Sequence, residues 1–282
     1  MPGNLKDPPK QFLHSYGPWA VVAGASEGLG AAFADALAAR GLNLVMVARR
    51  TAIMQALAER LSAKYAVQVR TLTLDLASPE AANQIAQEVK NLEVGLLVYN
   101  AAFSAVDLFL DRPLDDHLRE VDTNVRSPLG LVEYFGRRMR TTGHGGIILM
   151  ASLSAFQGSA YISTYSATKA FNIILAEGLW EEWRLDGVDV LACIAGAIRT
   201  PNYLASKPKH TGRFSDATLL PEKVVAEALA ALGRQPTVIP GAVNRLSSFV
   251  MRHLLSRRAA ILFMGWILRG MYSQDKSVKK ER

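Results

Sequence analysis

Cysteine is nearly absent from this chain: Cys193 is the only one in 282 residues. An internal disulfide is therefore excluded, and the apolar run Val188-Asp-Val-Leu-Ala-Cys-Ile-Ala195 suits a small buried hydrophobe rather than a reactive thiol. Histidine is scarce too. His14, His117, His144, His210 and His253 are scattered without ligand spacing, so no metal site is expected and all five are read as surface or helix residues rather than catalysts. No apolar stretch approaches the roughly 18 residues needed to span a bilayer. The polar, proline-bearing start Met-Pro-Gly-Asn-Leu-Lys-Asp-Pro-Pro-Lys does not read as a secretory signal, and a cytoplasmic location is the default expectation.

Most of the chain also lacks net charge. Residues 245–282 carry nine Lys/Arg against two acids, the whole of the +7 excess, and residues 1–244 hold 23 basic and 23 acidic side chains. The high pI belongs to the tail, and no nucleic-acid partner is implied for the body. With half of its residues hydrophobic and a fifth charged, the composition is that of a folded globular protein.

Apolar, β-rich runs alternate with helical patterns. The strand candidates are Trp19–Ala23, Leu42–Ala48, Val67–Leu74, Gly95–Tyr99, Gly146–Ala151, Val188–Ala195 and Thr237–Ile239. Helical segments are expected at about 28–40, 51–65, 79–91, 113–141, 161–186 and 221–233. Runs such as Leu44-Val-Met-Val-Ala48, apolar throughout, suit a parallel sheet covered on both faces. The alternation predicts a doubly wound, Rossmann-like α/β fold. One domain over 16–244 fits best, with an N-terminal extension at 1–15 and a helical C-terminal tail at 245–282.

Three local patterns carry chemistry. Tyr165 and Lys169, four apart in Tyr165-Ser-Ala-Thr-Lys169, fall one above the other on a helix face. The spacing predicts that the cation lowers the phenol pKa and readies the tyrosine for proton transfer. The first strand runs into Gly24-Ala-Ser-Glu-Gly28-Leu-Gly30, a turn that lets the backbone approach a pyrophosphate at the start of the next helix. Such a turn can also be purely structural. The second strand ends in Arg49-Arg50 with no acid beside it, which favours NADP over NAD; the alternative leaves both arginines solvated. Glu27 adds negative charge near the phosphates and counts against NADP.

These motifs resemble the short-chain dehydrogenase/reductase family over about residues 16–240. The glycine loop is similar to the family's Thr-Gly-x-x-x-Gly-x-Gly, with Ala23 in the threonine place. Asp75 in Leu74-Asp-Leu76 matches the adenine-contacting position. Asn100-Ala101-Ala102 is similar to the segment Asn-Asn-Ala-Gly, with Tyr99 and Ala102 as departures. Asn124 matches the asparagine of the catalytic tetrad, and Ser152, thirteen residues before Tyr165, matches its serine. Ala195-Gly196-Ala-Ile-Arg-Thr200 is similar to Pro-Gly-x-x-x-Thr, with alanine for proline. The resemblance implies cofactor contacts at Gly24, Ser26, Glu27, Gly28, Leu29, Gly30, Arg49, Arg50, Asp75, Leu76, Asn100, Ala101, Tyr165, Lys169, Gly196, Ile198 and Thr200. It implies that Ser152 binds the substrate carbonyl, Tyr165 delivers the proton, Lys169 holds the nicotinamide ribose and Asn124 positions a water. Ser154 and Tyr161, neighbours of the active pair, are read as wall or packing residues, and Met150 as core.

Residues 201–220 are expected to form a lid over the substrate, mixing Tyr203, Leu204 and Phe214 with Lys207, Lys209 and Arg213. The tail reads as two helical pieces, about 245–255 and 257–271, broken near Ser256. Its run Ala259–Leu268, bordered by Arg257, Arg258 and Arg269, fits packing on the body or on a second subunit, or lying in an anionic membrane interface. The tail resembles the family branch of 17β-hydroxysteroid and 3-ketoacyl reductases, which implies a lipid-like substrate. The leading expectation is an NADPH-dependent carbonyl reductase acting on a lipophilic ketone, as a homodimer or homotetramer. The same residues could run the alcohol oxidation, and the alternative of another class is an inactive NADP-binding regulatory or scaffold protein.

Overall fold

A computed structural model describes residues 9–201 and 218–272. Seven strands form one sheet: β1 (Trp19–Ala23), β2 (Asn43–Ala48), β3 (Val69–Thr73), β4 (Val94–Tyr99), β5 (Gly145–Ser152), β6 (Val188–Ala195) and β7 (Thr237–Val238). Their order is β3-β2-β1-β4-β5-β6-β7, and every pairing is parallel. β1 and β4 are buried along their whole length, as expected of strands covered on both faces. Side chains alternate between two cores: Ala20 and Val22 of β1 join one, Val21 and Ala23 the other.

The first core is closed by α1 (Pro9–Tyr16), α2 (Gly28–Ala38), α3 (Thr51–Tyr65) and a helix at Pro221–Ala231. The second is closed by α4 (Ala81–Glu88), by the helix at Ser127–Thr142 and by the one at Ser163–Trp183. Between α4 and these lies α5 (Leu114–Val121); the three just mentioned become α6 (Ser127–Thr142), α7 (Ser163–Trp183) and α8 (Pro221–Ala231). This is the doubly wound, Rossmann-like arrangement read from the alternation.

Three local features differ from the sequence reading. The segment 113–141 is not one helix: a π turn at Asp122–Arg126 separates α5 from α6. The residues before 16 are not all extension, because α1 packs on the sheet with Phe12 and Tyr16 buried. Those two rings, one turn apart, meet in a tilted arrangement with centroids 4.7 Å apart, and the Tyr16 hydroxyl donates to Asp189 Oδ2 at 2.6 Å. The tail begins at α9 (Ala242–Phe249), continues through a π turn at Val250–Leu254, and ends in α10 (Arg257–Tyr272). The break at Ser256 falls where expected, but the apolar run is only half covered. Ala260, Gly265 and Leu268 are buried, while Leu262, Phe263 and Trp266 are exposed. Arg257 ties α10 to the body through the Phe156 carbonyl at 2.6 Å. Among the described residues, no helix is long and apolar enough to cross a membrane. Most of the expected lid, residues 202–217, lies outside the described residues.

Candidate active site

The predicted site residues gather at the carboxyl ends of the strands, where ligands sit in doubly wound sheets. β1 runs into the glycine turn, β2 into Arg49, β4 into Asn100 and β6 into Gly196; β5 ends at Ser152, and Asp75 lies two residues past β3. The chain order reverses between β1 and β4, so the glycine turn and Asn100 meet at the crevice. Asn100 Nδ2 donates to the Gly24 carbonyl at 2.9 Å. A side chain at Gly30 would put its Cβ 1.9 Å from that same carbonyl, so this close return of the chain accepts only glycine. Gly28 faces Thr200, 3.0 Å from where a Cβ would stand, and Ile198 bridges to Leu219. The turn and the segment after β6 thus form one cleft. Leu29 and Leu76 are buried beneath it.

At the cleft's other side, α7 presents Tyr165 and Lys169 one turn apart, with the Lys169 ammonium 5.8 Å from the Tyr165 ring centroid. Ser152 closes β5, and its hydroxyl hydrogen-bonds Tyr165. Ser154, read as a wall residue, fixes that hydroxyl: its backbone N–H and its own hydroxyl both donate to Ser152 Oγ, at 3.3 and 3.0 Å. Asn124 is wholly buried. Its Nδ2 donates to the Phe103 carbonyl at 2.9 Å and to Thr168 Oγ1 at 3.0 Å, and its Oδ1 accepts from Phe103 N–H at 2.9 Å. Tyr99, a departure from the family pattern, explains how Asn124 is aimed: its buried hydroxyl donates to the Thr123 carbonyl and pins the π turn. Such turns occur often at functional sites.

The expected pKa effect runs the other way. The Tyr165 phenol is pushed up to about 12: burial penalises the phenolate, the Ser152 hydrogen bond only partly offsets this, and the Glu120 carboxylate adds to the rise. Burial also lowers Lys169, to about 8. Four-residue spacing brings the two groups together, and desolvation is the largest influence on both. Cys193 is likewise raised by burial, which agrees with its reading as core.

On the adenosine side, Arg50 does not point free. Its guanidinium pairs with Glu27 at 2.6 Å and donates to Ser26 Oγ at 3.0 Å. Arg49 is exposed and close enough to Asp75 to help lower its pKa. Partial burial works against that lowering, but the Ala77 N–H and Arg119 outweigh it. Arg119 holds the Asp75 carboxylate at 2.6 Å.

The residues fit a nicotinamide dinucleotide. Lys169 is almost wholly buried, yet among the described residues only one of its three N–H groups is used, in a bond to the Met150 carbonyl at 2.8 Å. The remaining donors match the ribose hydroxyls that the resemblance assigns to them. The first turn of α2 is likewise left without a side-chain cap, with its positive end open to a phosphate. Sequence reading missed Ser154 and Thr168 as hydrogen-bonding partners of the site. It took His117 for a surface or helix residue, and it is a buried helix residue. A cavity of about 730 Å³ lined by Leu13, Glu93, His144 and Asp189 lies at the amino ends of the strands and involves no site residue.

Comparison with known proteins agrees with this fold. Residues 18–210 match the family model of short chain dehydrogenase. The chain is 31% identical over 234 residues to a 7beta-hydroxysteroid dehydrogenase of Collinsella aerofaciens, covering 82% of this chain and 88% of that one. It is 29% identical over 266 residues to very-long-chain 3-oxoacyl-CoA reductase-B of Danio rerio, covering 88% and 84%. Among solved structures, one from work on 7beta-hydroxysteroid dehydrogenase stereoselectivity superposes with a TM-score of 0.85 at 29% identity, over 90% of this chain and 99% of that one. A short-chain dehydrogenase from Sphingobium yanoikuyae in complex with NADPH superposes at 0.72 and 26% identity, over 82% and 92%. The matched segments hold the glycine turn, Asn124, Ser152, Tyr165 and Lys169, and the chain belongs to the short-chain dehydrogenase/reductase family of oxidoreductases.

Proposed function

We propose that this protein is an NADPH-dependent reductase of a lipophilic ketone, with the matching alcohol oxidation as the reverse reaction. The observation that carries this reading is the Ser152–Tyr165–Lys169 cluster, facing a glycine turn whose second strand ends in two arginines and no acid. NADPH, when bound, supplies the hydride that goes to the carbonyl carbon. Ser152 donates a hydrogen bond to the carbonyl oxygen and favours the charge developing there. Tyr165 stays protonated at neutral pH because its pKa lies at about 12, so it is ready to act as the acid. Lys169 holds the ribose hydroxyls, and Asn124 keeps the segment after β4 against α7. Arg49 and Arg50 are the residues suited to the adenosine 2′-phosphate, which supports NADP(H) over NAD(H). Steroid and long-chain oxoacyl names among the relatives support an apolar substrate.

Two partner readings accompany this one. Leu114, Leu118 and Val121 of α5 and Leu129 of α6 are exposed, which supports a homodimer or homotetramer and is checked by light-scattering mass. The outward face of α10 supports contact with an anionic membrane surface. A panel of steroid and long-chain ketones, with NADPH oxidation as readout, tests the central reading. Turnover of apolar ketones with NADPH is expected; turnover of none, across the panel and with either cofactor, would remove it.

A further inference from the structure

The face that α5 and the following π turn show to the catalytic helix carries three buried polar side chains: His117, Glu120 and Asn124. Their spacing of three and four residues sets them in one stripe. Each grips the backbone of the segment that joins β4 to α5. Asn124 holds both the N–H and the carbonyl of Phe103. Glu120 Oε1 accepts from Ala105 N–H at 3.1 Å. Arg112 closes this contact, with Nη1 3.3 Å from both Glu120 Oε2 and the Ala105 carbonyl. His117 Nε2 lies 3.0 Å from the Phe109 carbonyl. A carbonyl only accepts, so Nε2 carries the hydrogen in this bond.

The same stripe also reaches α7. His117 Nδ1 is 2.8 Å from Thr164 Oγ1, and Asn124 Nδ2 is 3.0 Å from Thr168 Oγ1. Thr164 directly precedes Tyr165, and Thr168 directly precedes Lys169. The gripped segment starts against the glycine turn, and farther on its Asp107 N–H donates to the Tyr161 carbonyl at 3.1 Å. It therefore runs from the cofactor turn to the front of the catalytic helix, beyond the carboxyl ends of the strands. Along it, Leu108, Phe109 and Leu110 are exposed, an apolar stretch directly after the residue that bonds Tyr161.

We propose that His117, Glu120 and Arg112 are positioning residues which, with Asn124, lock this segment to the catalytic helix and so seat an apolar ketone in front of Tyr165. This rests on the ketone-reductase reading. Covering the segment would need only apolar side chains. A fully buried carboxylate paired with an arginine whose side chain is 6% exposed is costly to desolvate, and here each charge holds a defined backbone group. Glu120, with Arg112 as its counter-charge, also places a negative charge on the α5 side of Tyr165. On the α7 side stands Lys169, and on the β5 side the neutral Ser152 hydroxyl. Taking the Glu120 charge away favours the phenolate.

Glu120→Gln and Thr164→Val test this in the full chain. Glu120→Gln keeps the shape and loses the charge; Thr164→Val cuts the link to His117 and leaves the ion pair intact. Misplaced reacting groups can lose about 100-fold in rate, so kcat/KM for a bulky ketone is expected to fall about 10- to 100-fold in each, chiefly through KM. NADPH affinity should be unchanged. In Glu120→Gln the basic limb of the kcat/KM profile should move to lower pH, and the Ala105 amide should exchange with solvent faster. Wild-type kcat/KM and an unmoved basic limb in both variants, with only a lower Tm, would overturn the proposal. If the wild type reduces no ketone, the ketone reading fails by itself. The Ala105 exchange rate then still judges the lock: acceleration in Glu120→Gln supports it, and an unchanged rate overturns it.

Discussion

At Tyr165 and Lys169, burial decides what spacing alone cannot. Four-residue periodicity is visible in any sequence and here gives the correct adjacency, but the sign of the pKa effect depends on how much water each group loses. That quantity belongs to the folded packing around α7 and Met150, so it was not legible in the residue order. Arg50 is a similar case. Its proximity to the glycine turn could be read from the strand end, whereas its pairing with Glu27 depends on how the two loops face each other. That pairing leaves Arg49 as the freer cation for a 2′-phosphate. A charge-assisted hydrogen bond contributes about 1.5–3 kcal/mol, so Arg49→Ala is expected to weaken NADPH about tenfold or more and NADH little. Binding titrations with both cofactors check this, and equal losses would remove the NADP preference.

Among the elements, the strands were the most legible. Trp19–Ala23 and Val188–Ala195 coincide with β1 and β6, because buried parallel strands are short apolar runs with clear ends. The π turn at Asp122–Arg126 left no such mark. Adding one residue to a helical turn changes no composition and barely alters an apolar pattern, so 113–141 reads as one helix. Asn124 was found through its resemblance to a motif, and the stripe His117–Glu120–Asn124 could have been found from its spacing. In α10 the sequence pattern gave the helix but not which side is covered. Leu262, Phe263 and Trp266 face outward, and the Phe263 and Trp266 rings stack at 6.2 Å. Arg258 and Arg269 lie on the same helix. An apolar face with cationic borders suits an anionic interface. Wild-type protein is expected to sediment with phosphatidylserine vesicles, and the double variant Phe263→Glu, Trp266→Glu to stay in solution with unchanged circular dichroism. Equal behaviour of the two, bound or free, would contradict the membrane reading.

On the scale of the whole molecule, one parallel sheet brings together segments spread from Gly24 to Thr200. Each was recognisable where it stands in the sequence; their convergence follows from strand order, which puts β1 beside β4 and β5 beside β6. The central claim is that this edge performs ketone reduction with Tyr165 as the acid. Its most direct measurement is kcat for NADPH-dependent ketone reduction by Tyr165→Phe beside the wild type, with NADPH affinity determined on both proteins. General acid catalysis contributes about 10²- to 10⁴-fold, so a loss of at least about 100-fold with retained NADPH binding is predicted, and turnover near the wild-type rate would contradict the account.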